Sequence, residues 1–125
     1  MQNTDTLVDT YIAMWNETDP ARRRELAART VADDAHYVDP LMQGDGIDGI
    51  SAMIGAAQGQ FAGHRFALAS GPDTHHDRVR FSWSLAPDSG PPVAIGVDFA
   101  VIAQDGRMRS ITGFLEPVAA PGTAA

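Results

Sequence analysis

The chain has 125 residues, 44% of them hydrophobic, with no cysteine and a formal net charge of −7. That is enough apolar content for one packed core, and it excludes disulfides, thiol catalysis and thiolate metal sites. The acidic balance argues against nucleic acid or an anionic membrane surface as partner, no apolar run approaches the ~20 residues of a membrane span, the N-terminus lacks a secretory leader pattern, and the composition suits a reducing cytoplasm.

A first helix is predicted from Thr4 to about Glu17, because Leu7, Val8, Tyr11, Ile12, Met14 and Trp15 recur at helical spacing. Asp19-Pro20 starts a second helix, with Asp as N-cap and Pro in its first turn. That helix ends before Ala32-Asp33-Asp34, an acidic pair that reads as a turn. A short strand over 35–39 is stopped by Pro40. A glycine-bearing loop, Gln43-Gly44-Asp45-Gly46, leads into a third helix over about 47–60. Its Gly49, Gly55 and Gly59 suggest close packing on a sheet.

From His64 the period becomes alternating, with strands predicted over about 64–70, 78–86, 92–103 and 107–117. Gly71-Pro72-Asp73, Pro87-Asp88-Ser89-Gly90 and Gln104-Asp105-Gly106 read as the turns between them, the last a hairpin signal. The order is α+β: one domain over 1–117, with a disordered tail over 118–125. A sheet that rolls onto the helices leaves a pocket between the layers, the usual place for a small ligand.

Three residues stand out within this frame. Asp39 shares a strand face with Ala35 and Tyr37, so it points to the core if Tyr37 does. Burial would raise its pKa and suit it to proton transfer; alternatively it caps the following loop. Asp98 interrupts the apolar run Val93–Ile102. Its same-face neighbours Gly96 and Ala100 are small and leave room for a ligand, while Val97, Phe99 and Val101 take the other face. That side would pack on another layer or a second subunit; the alternative puts Asp98 in solvent. Tyr11 lies in the apolar stripe of the first helix, a core position with its hydroxyl free to reach a rim. His75-His76 between Asp73 and Asp77 is the most metal-like cluster. Adjacent strand residues point to opposite sides, however, and no metal site is expected.

Three stretches resemble the NTF2-like superfamily, in its ketosteroid isomerase and SnoaL-like branch. They are Tyr11–Asp19, Ala32–Pro40 with its ADDA…DP pattern, and Val97-Asp98-Phe99 running through Asp105-Gly106-Arg107 to Ile111-Thr112-Gly113-Phe114. The resemblance implies an NTF2-like cone, with three N-terminal helices packed on a curved antiparallel sheet. It implies that Asp39 is a general base, and that Tyr11 and a protonated Asp98 stabilise an enolate oxygen. Trp15, Tyr37, Ile54, Phe61, Trp83 and Gly113 would form the substrate-binding wall. Trp15 and Tyr37 narrow the cavity and favour a small ligand.

The implied activity is cofactor-free allylic isomerisation of a small apolar carbonyl compound by a homodimer. A polyketide-cyclase-like or dehydratase-like enzyme, a non-catalytic binding module and a dimerisation domain are the alternatives.

Overall fold

A computed structural model describes residues 3–117 of the chain. The tail expected to be disordered over 118–125 lies outside the described residues. Helix α1 (Thr4–Asn16) is capped by Asn3, whose side chain accepts from the Asp5 amide, and α2 (Pro20–Thr30) by Asp19, which accepts from the Arg22 amide. Strands β1 (Val31–Val38) and β2 (Gln43–Asp45) then form before α3 (Gly46–Gln60). The expected block of three N-terminal helices is therefore interrupted: the third helix follows the first two strands. Strands β3 (His64–His75), β4 (Arg78–Pro87), β5 (Ala94–Ile102) and β6 (Met108–Glu116) complete an open six-stranded sheet, ordered β2-β1-β6-β5-β4-β3. Only the β1–β6 pair is parallel.

Three further sequence expectations need correction. The acidic pair Asp33-Asp34 is not a turn but part of β1, where the register against β6 shifts between Val31 and His36. A bulge there breaks the in–out alternation, so two buried residues are followed by two exposed ones. Residues 43–45 are a short strand rather than a loop, because His36–Val38 pair with them. Gly71-Pro72-Asp73 does not end β3; the strand continues to His75 through two register shifts, and the turn is His76-Asp77. In that hairpin Asp73 pairs with Arg80 and Asp77 with Arg78. Among the described residues no group of three His, Cys, Asp or Glu is placed to hold a metal, and no helix is long and apolar enough to cross a membrane.

The helices are stitched together by polar side chains. Arg23 of α2 is buried and donates to the Ser51 carbonyl and hydroxyl, the Glu17 carbonyl and Gln58 Oε1. Gly55 makes room for that guanidinium, since a Cβ there would lie 2.7 Å from it. This glycine therefore serves helix–helix packing, not packing on the sheet. Gln58 in turn donates to the carbonyls of Trp15 and Glu17. At the end of α1 the Asn16 amide exchanges two 2.8 Å hydrogen bonds with the Phe66 backbone. That pair ties the helix to β3 and fixes where Tyr11 and Trp15 face the sheet.

Candidate active site

A cavity of about 80 Å³ opens between α1, α3 and the concave side of the sheet. Its wall includes Trp15, Tyr37, Met42, Phe61, Phe66 and Trp83, and Leu41 and Leu115 form part of its lip. The polar groups facing it are Tyr11, Tyr37, Asp39 and Asp98; no Lys, Arg or His is among the described residues that line it. A water needs about 10–15 Å³ on this scale. The space within the walls therefore holds several waters or one small ring.

Asp98 lies in β5 between Gly96 and Ala100, both buried, and is itself only 2% exposed. The Tyr11 hydroxyl donates to Asp98 Oδ2 at 2.6 Å, and the Trp83 indole N–H donates to Oδ1 at 3.1 Å. Burial pushes the Asp98 pKa up to about 6, and the charge of Asp39 adds to the rise; the Tyr11 and Trp83 hydrogen bonds oppose it. The carboxyl is thus moved towards its neutral form. Tyr11 is raised well above the ordinary tyrosine value, by burial first and the Asp98 charge second, so it stays a hydroxyl donor.

Two glycines make this arrangement possible. Gly96 pairs with Trp83 across β4 and β5, and a Cβ there would lie 2.3 Å from the indole ring and 2.9 Å from the Phe114 carbonyl. Neither neighbour can yield without moving the sheet or the indole. Gly96→Ala is therefore expected to destabilise the protein by about 1–3 kcal/mol, as read by urea unfolding. Gly113 pairs with Asp98 across β5 and β6. A Cβ there would lie 2.8 Å from Asp98 Oδ1, 3.1 Å from Asp39 Cβ and 3.4 Å from the Tyr37 hydroxyl. The missing side chain lets both acids and Tyr37 converge.

Asp39 follows β1 and is half-buried. Its Oδ1 accepts from the Leu41 and Met42 amides at 2.8 and 2.9 Å, so it does cap the following loop. Its Oδ2 accepts from the Tyr37 hydroxyl at 2.5 Å. Both sequence readings of Asp39 therefore hold in geometry: it fixes the loop that carries Leu41, and it lines the cavity.

The structure thus brings Tyr11, Asp39, Asp98, Trp15, Tyr37, Phe61 and Trp83 to one cavity. Ile54 does not reach it; it is fully buried in the core. Gly113 lies beneath the acids instead of in the wall. Sequence reasoning missed Phe66, Leu85 and Ala94, whose only signal is their inward parity on β3, β4 and β5, and Met42 and Leu115 at the mouth.

No family model matches the chain, and no curated protein does. Among solved structures it is similar to a candidate isomerase of the SnoaL-like family from Agrobacterium tumefaciens C58, at 47% identity over 90% of this chain and 96% of that one, with a TM-score of 0.86. A candidate polyketide cyclase from Sinorhizobium meliloti is 21% identical over 90% of this chain and 99% of that one, with a TM-score of 0.67. An NTF2-like protein of unknown function from an Exiguobacterium species is 17% identical over 90% and 99%, with a TM-score of 0.70. The last two bear on the fold alone.

Proposed function

The chain belongs to the SnoaL-like family, and we propose that it is an enzyme that moves a proton along a small, uncharged, unsaturated carbonyl compound without a cofactor. One observation carries this reading: two carboxyl groups face one apolar cavity at unequal depth, each with a tyrosine hydroxyl on it. Environments that push two titratable groups apart divide acid from base work.

Asp39, the shallower group, takes a proton from the carbon between the carbonyl and the double bond. The C–H bond breaks, an O–H bond forms on Oδ2, and the electron pair moves onto the substrate oxygen. Substrate expels water from the cavity and so favours the neutral form of Asp98. As the substrate oxygen enters beside them, the Tyr11 hydroxyl turns from Asp98 Oδ2 to that oxygen, and neutral Asp98 and Tyr11 then both donate to the enolate oxygen in a dry site. Asp39 returns the proton to the far carbon of the former double bond, and the conjugated product leaves. Two acids, and no cation among the described residues of the lining, make an anionic substrate a poor fit.

The enclosed volume favours a single-ring substrate over a steroid. Conversion of cyclohex-3-enone to cyclohex-2-enone, followed by enone absorbance, is the test, with a β,γ-unsaturated ketosteroid as the large comparator. Asp39→Asn should lose ~10²–10⁴-fold in rate. An intact protein no faster than its Asp39→Asn variant on either ketone sinks the enzyme reading and leaves a ligand-binding module.

A further inference from the structure

We propose that Tyr37 is both the positioning residue for Asp39 and the residue that sets the size of the ligand; the first half rests on Asp39 acting as the base. The loop amides of Leu41 and Met42 occupy Asp39 Oδ1, which leaves Oδ2 as the oxygen available to the cavity. Tyr37 holds that oxygen through a 2.5 Å hydrogen bond. The two residues are two apart along the chain, on the same side of it, so the backbone itself sets their spacing. The carboxyl is thereby fixed about both oxygens. A base on a half-exposed loop would otherwise sample several rotamers.

The Tyr37 hydroxyl keeps its proton as well. Burial raises its pKa far above the ordinary value, followed by the charge of Asp98 and the hydrogen bond to Asp39. Tyr37 is therefore a permanent donor to Asp39 and not a competing acid.

The ring of the same residue closes the inner end of the pocket. Tyr37 is 2% exposed, its ring centroid lies 5.6 Å from that of Trp15, and its hydroxyl rests over Gly113 beside Asp98. Trp15 is held in turn by Phe66 at 5.2 Å. The tyrosine cannot swing aside without breaking both its tilted contact with Trp15 and its bond to Asp39. The limit on cavity depth and the orientation of the base are therefore one structural feature.

Two variants separate the halves. Tyr37→Phe removes only the hydroxyl and is expected to lower kcat for cyclohex-3-enone by about tenfold or more with KM unchanged. Loss of folded protein would instead scale the rate in proportion to the folded fraction read by circular dichroism. Tyr37→Leu shortens the ring and should shift binding towards a larger ketone. The affinity ratio of 2-decalone to cyclohexanone, by titration calorimetry, is expected to rise about tenfold or more. A wild-type kcat in Tyr37→Phe overturns the positioning role, and an unchanged ratio in Tyr37→Leu overturns the size role. Asp39→Asn run alongside tells the failures apart. If it retains full activity, the base assignment fails, while the calorimetric ratio still decides the size role without any turnover.

Discussion

The kcat/KM of the intact protein for cyclohex-3-enone is expected to fall about tenfold per pH unit above about pH 6, and Asp98→Asn is expected to abolish that fall. The free enzyme's profile reports the carboxyl that must hold a proton. Asp98 is the group whose pKa burial pushes up to about 6. Below that value it carries the proton it needs to donate; above it, each pH unit leaves a tenth as much competent enzyme. At pH 8 the intact protein should sit about a hundredfold below its plateau. Asparagine offers an N–H donor and cannot titrate, so its profile is flat over the same range. Its plateau is lower, because an amide is a weaker donor than a carboxylic acid. The two profiles then converge as pH rises. The opposite pattern is equally clear to read. If the rate climbs through pH 6 and Asp98→Asn is inert at every pH, Asp98 is the base, and Asp39 is left with the loop of Leu41.

Much of this site was legible in the sequence because it follows short-range parity. Asp39 and Tyr37 share a face by the two-residue period of a strand, and that period alone places the hydroxyl beside the carboxylate. Asp98 between Gly96 and Ala100 reads as a site because small neighbours beside an acid leave space, and the structure fills that space with the Trp83 indole. Illegible features depend on partners far along the chain. The start of β1 was hidden by a bulge that only β6 defines. The strand β2 has three residues, and it is a strand because His36–Val38 pair with it. β3 runs through Gly71-Pro72 because β4 supplies the opposing ladder. Helical period gives α3 one apolar stripe and cannot say which part of that stripe meets the cavity. Ala57 and Phe61 meet it at the C-terminal end, whereas Ile54, one turn earlier, meets only the core. The convex face did follow its pattern: Val97 and Val101 are half-buried and Phe99 is exposed, opposite the buried Gly96, Asp98 and Ala100.

The same buried carboxyl should also appear in stability, without any substrate. In the unfolded chain an aspartate titrates near its ordinary value of 3.8, and in the folded protein Asp98 titrates at about 6. Between those values the folded state binds the proton more tightly than the unfolded state does. The derivative of unfolding free energy with pH is negative when the native state holds more protons. The Asp98 contribution is therefore fully favourable below about 3.8, declines as pH rises to about 6, and is constant above that. A shift of about two units corresponds to about 3 kcal/mol; Asp98 is 2% exposed, so solvent screening takes little from this. Other carboxylates move stability the other way, as with Asp105, which backbone and side-chain hydrogen bonds from Arg107 hold below the ordinary value. The measurement is accordingly a difference: urea unfolding of the intact protein and of Asp98→Asn at pH 4 and pH 7. The intact protein should lose about 2 kcal/mol more than the variant across that interval, since pH 4 already lies a little above the unfolded value. Equal losses mean that Asp98 folds in with an ordinary affinity for its proton, and the pH-rate limb must then belong to another group. A stability difference of that size together with a pH-rate limb that bends near 6 ties both effects to one carboxyl, whose burial is costly to the fold at neutral pH and supplies the acid that the proposed reaction needs.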